Sequence, residues 1–451
     1  MSIPESIFKA YDVRGLYPSE VNEAGVRAIG RAFVAYLNAS RIGLSRDMRV
    51  SSPSLSAAFI EGAREQGATV VDFGMCATDM MYFGVAKLGL EGGVQITASH
   101  NPGEYNGIKM VRREALPLSG EAGLGEIRDM LVSGTMPAQP ATPGRRTEKN
   151  ILSPYIDHIM SFIDPSIIKP FKVVADAGNG MGGLVAPPMF ARLPCRVLEM
   201  CYAPDGSFPN HEANPLIEEN RAHIVERVLA EKADIGIAWD GDADRCFFID
   251  DTGEFISGDF VTALLAEAFL LRHPSATVVY DLRASYAVRD TVLRYGGRPL
   301  MNRVGHAFIK RRMRDEDAIF GGEVTGHYYF RDNFYADNGF IPALLMLELM
   351  SKKNASLADL LKPMRAKYFI SGEINTKVAS MSVLEDKLHA LARQFSDGAV
   401  TKLDGVSVEY DDWHFNVRAS NTEPLIRLNL EATTPELMEK KRDEVLGVIR
   451  G

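Results

Sequence analysis

Thr97-Ala98-Ser99-His100-Asn101-Pro102, continued by Glu104, Tyr105, Asn106, Gly107 and Lys109, is the stretch around which the rest of this chain is organised. It follows Gly92-Gly93-Val94-Gln95-Ile96, a strand-prone run after two glycines, and Pro102-Gly103 stops any regular element. Ser99 is therefore expected on a loop at the end of a strand, with His100 beside it. A serine hydroxyl is a poor nucleophile until something takes its proton or stabilises the charge that develops. His100 and Lys109 are residue types that supply both. Taken alone, the stretch reads as an Asn-Pro turn with a capping serine, so the decision falls to the residues around it.

Bulk properties narrow the choice. At 451 residues the chain implies roughly three domains. Its 46% hydrophobic and 24% charged residues are those of a soluble globular protein. A net charge of -9 argues against general affinity for nucleic acid or an anionic membrane, so an anionic small-molecule substrate would need a local basic pocket. Cys76, Cys195, Cys201 and Cys246 are scattered without CxxC spacing, which points to buried thiols in a reducing compartment. The start, Met1-Ser2-Ile3-Pro4-Glu5, has no basic n-region, and no run approaches about 20 apolar residues. A cytoplasmic location without a transmembrane helix is expected. The oligomeric state, monomer or homodimer, stays open.

On the N-terminal side of the serine, apolar spacing predicts helices over 21–38 and about 54–67 and a strand over 68–74. With a further short strand over 107–111, this alternation points to βαβ units and a parallel sheet. Residues 134–149, rich in Gly, Pro, Thr and charge, read as a linker, and a second unit opens near Ile151. Its strand over 170–176 runs into Gly178, Gly180 and Gly183, which satisfy GxGxxG spacing. No acidic residue follows about 20 positions later in the context a dinucleotide fold needs, so these glycines are taken as structural. The irregular loop over 205–215 contains His211, which as a lone histidine is expected to make an ordinary hydrogen bond.

The next strand runs into Asp240-Gly241-Asp242-Ala243-Asp244-Arg245. Carboxylates at i, i+2 and i+4 of an extended chain share a face and repel. Gly241 is expected to permit the bend that lets all three converge on a cation. All-oxygen ligands suit Mg²⁺ best, with Mn²⁺ second. An EF-hand is excluded, because the twelfth residue counted from Asp240 is Asp251 and not glutamate. Arg245 is placed to reach metal-bound phosphoryl oxygens.

Further cations and polar groups occur in the flanking segments. Arg14, in Tyr11-Asp12-Val13-Arg14-Gly15, has the bidentate geometry for phosphate. Lys109, if near other cations, would have its pKa lowered towards that of a base. Arg283 ends the strand over 278–283, and His306 and Lys310 are either phosphate contacts or a solvated helix start. In Gly322-Glu323-Val324-Thr325-Gly326-His327, Glu323 suits paired hydroxyls, Thr325 adds a donor and acceptor, and His327 titrates near neutrality. Arg418, Ser420, Asn421 and Thr422, with Arg427 beyond, make a phosphate clamp between expected strands at 413–417 and 406–410 and a helix over 435–449.

From about residue 8 to 450, these motifs resemble those of the α-D-phosphohexomutases and occur in that family's order. The serine loop, the aspartate loop with Arg245, the Glu323–His327 loop and the Arg418–Arg427 segment all match, as do Arg14, Asp47 and Arg49. Ser45 departs from a glycine usual in the family. The resemblance implies an α/β fold of three similar domains with mixed sheets plus a smaller α+β C-terminal domain, heart-shaped around a central cleft. The segments would be a phosphoserine-loop domain (1–150), a metal-binding domain (151–255), a sugar-recognition domain (256–368) and a phosphate-binding domain (369–451). It implies reversible conversion of hexose 6-phosphate and hexose 1-phosphate through phosphorylated Ser99, Mg²⁺ and a hexose 1,6-bisphosphate. Ser99, Asp240, Asp242 and Asp244 would hold the metal. Ser99, His100, Lys109, His327, Arg14 and Arg245 would carry catalysis. Glu323, Thr325, His327, Arg283, Arg418, Ser420, Asn421, Thr422 and Arg427 would bind substrate. The histidine ending the sugar loop places mannose ahead of glucose. A phosphoglucosamine mutase and a metal-dependent sugar phosphatase are the alternatives, and a non-catalytic sugar-phosphate binder is disfavoured by the intact motifs.

Overall fold

A computed structural model describes residues 3–120, 122–419 and 425–451, apart from the side chain of Met381. The chain forms two compact units, one of residues 1–256 with 325–357 and one of 257–324 with 358–451.

The first unit holds two mixed sheets. In one, strands run in the order Val13–Leu16, Tyr105–Arg112, Gly92–Ile96, Arg41–Arg46, Thr69–Met75 and Arg146–Glu148. Tyr105–Arg112 pairs antiparallel with both of its neighbours, and the last four strands pair in parallel. Parallel neighbours need crossovers, and the helices Ser52–Glu65 and Thr78–Lys87 supply them. Helix Glu23–Leu37 starts where Asn22 accepts a hydrogen bond from the Gly25 amide and stops at Asn38 in a left-handed conformation. Its buried Val26, Ile29 and Phe33 join Leu55 and Phe59 of the next helix in one core. The strand Arg146–Glu148 lies within the stretch read as a linker, fully exposed and with Arg146 ion-paired to Asp72 at 2.7 Å. Three exposed polar residues have no hydrophobic alternation, so the sequence carries no signal for it.

The second sheet runs Phe255–Ile256, Cys246–Ile249, Ile235–Trp239, Lys172–Asp176 and Arg196–Met200. The GxGxxG glycines are indeed packing positions: a Cβ at Gly183 would stand 1.8 Å from the Tyr202 carbonyl oxygen and one at Gly180 2.6 Å from that of Gly241. Helix Ile341–Lys353, contributed by residues 325–357, is buried from Ile341 through Ser351.

In the second unit, strands Arg298–Asn302, Thr277–Asp281 and Phe320–Gly322 pair in parallel beside helix Gly258–Leu270. An antiparallel sheet of Val406–Glu409, Trp413–Ala419 and Leu425–Ala432 shares an apolar core with helices Met381–Gln394 and Pro435–Arg450. Among the described residues, no helix is long and apolar enough to cross a membrane.

Candidate active site

The serine loop is held from beneath by one buried cation. Ser99 follows strand Gly92–Ile96 with φ 53°, a conformation that strains a residue with a Cβ. Arg49, fully buried, donates to the carbonyl oxygens of Ser99 (2.9 Å), Asn101 (2.6 Å), Pro102 (2.7 Å) and Tyr105 (3.0 Å). Its Nε reaches Asp47 Oδ2 at 3.2 Å. A planar guanidinium with five fixed donors is the side chain able to collect so many acceptors. The local sequence identifies Asp47 and Arg49 as matches to a family but not as the clamp of the Ser99 loop, because the acceptors lie some 50 residues away.

Ser99 Oγ lies 3.1 Å from Asp240 Oδ2 and 3.3 Å from His100 Nδ1. Asp240, Asp242 and Asp244, at the end of strand Ile235–Trp239, are buried with ligand oxygens all within 4.8 Å of one another. Asp242 Oδ1 and Asp244 Oδ1 are buried and accept no hydrogen bond. Burying a carboxylate oxygen without a partner is costly, and a cation removes that cost. The donor set therefore fits a hard divalent ion, and so few protein oxygens suit Mg²⁺, which keeps several waters. The turn differs from the expected one. Ala243, not Gly241, takes the left-handed conformation, with φ 59°. Gly241 is required for another reason: a Cβ there would stand 2.4 Å from the Ser99 carbonyl oxygen.

Lys109 departs from its expected state as well. Its Nζ lies 2.7 Å from Asp242 Oδ2 and 2.5 Å from Asp244 Oδ2. Burial pulls its pKa down, but the facing carboxylates outweigh burial and hold it above the usual lysine value. Its nearest charges are anions rather than the cations expected from the sequence, and they favour the ammonium form. Burial pushes Asp242 up, yet Lys109 and the Thr78 hydroxyl hold it below the usual carboxylate range. Asp244 is raised, by burial and by the Asp242 charge. His100 is held neutral by burial and by the nearby Arg245 and Arg14 cations.

Arg14 donates to Asn101 Oδ1 at 2.6 Å and pairs with Asp12. Arg245 Nε donates to Asp240 Oδ2 at 2.8 Å. The segment 325–357 brings His327 to the same centre, with Nδ1 3.1 Å from Asp337 Oδ2 and 3.9 Å from Asp244 Oδ1. Two contacts seat that segment: Trp239 Nε1 donates to the Gly339 carbonyl at 2.7 Å, and a Cβ at Gly339 would lie 2.3 Å from the Ala243 carbonyl oxygen. The first unit thus gathers Ser99, His100, Lys109, Arg14, Arg245, His327 and the three aspartates.

The second unit gathers a different set. Arg283, Arg418 and Arg427 surround one carboxylate, Glu373, at 3.6, 3.5 and 2.9 Å. Arg283 is also bidentate to Asp281, at 3.0 and 2.8 Å. Three guanidiniums thus converge on one carboxylate, Glu373, a residue that no motif marks. Glu323 is buried beside Val324, whose amide donates to Asp281 Oδ2 at 2.9 Å. Thr325 is half-buried and belongs to the first unit. Ser420, Asn421 and Thr422 lie outside the described residues. Lys310 is fully buried on helix His306–Asp315, which overturns its reading as part of a solvated helix start, while His306 is half-buried. His211 does more than expected of a lone loop histidine: it pairs with Asp176 at 3.0 Å, which pushes its pKa up to about 10.

Family models described as phosphoglucomutase/phosphomannomutase match four stretches: alpha/beta/alpha domain I over residues 5–134, domain II over 153–253, domain III over 257–368 and the C-terminal domain over 373–448. The chain belongs to the phosphoglucomutase/phosphomannomutase family. The alpha/beta/alpha domains of that family agree with the helix-flanked mixed sheets described above, and its smaller C-terminal domain with the antiparallel sheet over Val406–Glu409, Trp413–Ala419 and Leu425–Ala432. A Xanthomonas campestris protein named phosphohexose mutases is 43% identical over 100% of both chains. A phosphomannomutase of Escherichia coli is 42% identical over 98% of this chain and 99% of its own. A solved structure of a phosphoglucomutase/phosphomannomutase family protein from Burkholderia thailandensis superposes with a TM-score of 0.91 and 33% identity, over 99% of this chain and 98% of that one. As a member of the phosphoglucomutase/phosphomannomutase family, the protein is an isomerase that interconverts hexose phosphates.

Proposed function

We propose that the interconversion runs through phosphorylated Ser99, with mannose phosphates preferred over glucose phosphates and a hexose 1,6-bisphosphate as intermediate. The observation that carries this reading is Ser99 Oγ 3.1 Å from Asp240 Oδ2, beside two buried carboxylate oxygens without hydrogen bonds. A serine nucleophile joined to a cation-binding triad is the arrangement for moving a phosphoryl group, and Mg²⁺ held by Asp240, Asp242 and Asp244 would neutralise charge on that group. The segment 1–150 supplies the phosphoserine, 151–255 the metal ligands, 256–368 the sugar-reading residues and 369–451 the phosphate clamp.

Each step then falls to residues of this chain. Arg283, Arg418 and Arg427, with Ser420, Asn421 and Thr422, hold the phosphate already on the sugar. Glu323 and Thr325 hold sugar hydroxyls. The free hydroxyl attacks the phosphorus on Ser99, its proton leaving to His327, and the bond from phosphorus to Ser99 Oγ breaks. Lys109, Arg14 and Arg245 donate to phosphoryl oxygens as charge shifts. Neutral His100, 3.3 Å from Oγ, accepts a proton from serine in one direction and returns it in the other. The bisphosphate turns over and its other phosphate returns to Ser99. The preference for mannose rests on the histidine that closes the sugar loop and on the phosphomannomutase relatives.

The test is an assay with Mg²⁺ and a trace of glucose 1,6-bisphosphate, comparing mannose 1-phosphate with glucose 1-phosphate and following the 6-phosphates. Both are expected to convert, mannose faster, and Ser99→Ala is expected to lower kcat by at least about 10³-fold. Near-parental turnover in Ser99→Ala would sink the phosphoserine, and release of inorganic phosphate without isomerisation would make the enzyme a phosphatase.

A further inference from the structure

A second cluster of metal-ligating groups lies in the first unit, apart from the three aspartates. Asp176 ends strand Lys172–Asp176, and Cys201 follows strand Arg196–Met200, its parallel neighbour. His211 comes from the loop beyond. One donor atom from each of these three residues falls within 4.8 Å of the other two. Bonds of ~2.0–2.3 Å to a tetrahedral ion put donor atoms roughly 3.3–3.8 Å apart, so sub-ångström shifts would suffice. The imidazole is oriented as a ligand is. Its Nδ1 lies 2.9 Å from the Glu212 carbonyl oxygen and donates to it, which turns Nε2 to Asp176 Oδ2 at 3.0 Å. A ligating histidine characteristically commits its other nitrogen to such a carbonyl. The other Asp176 oxygen, Oδ1, is fixed by the Gly178 amide at 2.8 Å. What stands between Nε2 and Oδ2 must be positive, either a proton or a metal ion. The cluster opens on a cavity of about 450 Å³ whose wall includes His223 and Glu226.

We propose that Asp176 Oδ2, Cys201 Sγ and His211 Nε2 form a second metal site, one for a nitrogen- and sulfur-seeking divalent ion of the Zn²⁺ class, with a fourth position open to the cavity. The donor sets separate the two centres. Three carboxylates select a hard ion such as Mg²⁺, whereas thiolate, imidazole and one carboxylate select a softer one. Binding releases two protons, the thiol proton of Cys201 and the Nε2 proton that His211 shares with Asp176, so the thiolate and the Asp176 carboxylate balance the two charges of the ion.

The position of the loop gives such an ion something to control. Asn179 donates its amide to the Cys201 carbonyl at 2.8 Å and its side chain to that of Ala203 at 2.9 Å. At its centre, a Cβ on Gly206 would stand 2.4 Å from Arg49 Cα, and the Phe208 ring lies 5.3 Å from the Arg49 guanidinium. Arg49 is the clamp of the Ser99 loop. An ion at Cys201 and His211 would therefore pin the loop that backs the catalytic serine.

Co²⁺ is the probe, because a thiolate-to-cobalt charge-transfer band in the near ultraviolet reports sulfur ligation independently of turnover. With Mg²⁺ present in excess, one equivalent of Co²⁺ is expected to give that band. Cys201→Ser is expected to abolish it and His211→Gln to weaken Co²⁺ binding at least tenfold, while Asp240→Asn and Cys195→Ser keep it. No band in the parent protein, or a band that survives Cys201→Ser, overturns the proposal. Should Cys201→Ser fail to fold, alkylation of the parent protein decides. One equivalent of Zn²⁺ is expected to shield Cys201 from iodoacetamide where Mg²⁺ does not, read by peptide mass, and equal labelling with either ion also overturns it.

Discussion

At the scale of single residues, the Ser99 loop depends on side chains to which the proposed mechanism gives no chemical step. Arg49 is buried and satisfies four carbonyls of the serine loop while pairing with Asp47. Lysine keeps the charge but offers three donors on a flexible stem and cannot match that set. Arg49→Lys is expected to lower kcat about 10²-fold through misplacement of Ser99. It should also lose about 3 kcal/mol in urea unfolding, because Asp47 is left poorly paired in the interior. An unchanged kcat would show that the loop holds itself. Gly241 is the second such residue. A methyl group there meets the Ser99 carbonyl oxygen at 2.4 Å, so either the serine loop or the aspartate loop must move. Gly241→Ala is expected to lower kcat by roughly 10²-fold with the three carboxylates still in place. Steady-state kinetics at saturating Mg²⁺ checks it, and full activity would mean that the loops part freely.

At the scale of elements, helix Leu152–Met160 carries a titratable group into an aromatic setting. His158 stacks on Phe334 and packs edge-on against Phe162, and its Nε2 lies 2.9 Å from Asn333 Oδ1. Burial lowers its pKa, against the hydrogen bond that its Nε2 donates to Asn333 Oδ1, which raises it. A histidine whose folded pKa lies below its unfolded value of about 6.5 binds fewer protons when folded. Its contribution to stability is present above pH about 6.5 and is lost as pH falls through the folded pKa. Acidification from about pH 7 to 5 is therefore expected to lower Tm in the parent protein, and less steeply in His158→Gln. Equal slopes for the two proteins would exclude His158 as a source of the acid sensitivity. Elements also show where sequence signals stop. The periodicity of helices Glu23–Leu37 and Pro435–Arg450 is plain, because each has one apolar face against a sheet or helix. The strand Arg146–Glu148 is exposed throughout and carries no such pattern.

At the scale of the whole molecule, the first unit is discontinuous. Residues 325–357 return to it after the chain has built part of the second. They bring His327 to Asp244, Gly339 to the aspartate turn, and a helix buried along Ile341–Ser351. A fragment ending at residue 256 would keep Ser99 and all three aspartates but expose the apolar surface that this helix covers. It is expected to lack a cooperative thermal transition by near-ultraviolet circular dichroism. A sharp transition in that fragment would mean that the return segment is dispensable for folding.

The sequence by itself determined the groups that must be neighbours along the chain. The Ser99 turn, the spacing of Asp240, Asp242 and Asp244, and the arginines of the C-terminal segment are each written within a few residues, since turn residues and ligand spacing are local properties. Family membership followed from their order. The tertiary structure decided everything that depends on segments distant in sequence meeting in space. It made Arg49 a clamp and gathered three arginines on Glu373. It raised Lys109 by facing it with carboxylates instead of cations, and it assigned the left-handed turn to Ala243 while reserving Gly241 for close approach. Charge state and steric need are set by neighbours in space, and for each of these residues the decisive neighbour lies on another segment or is fixed by how that segment packs.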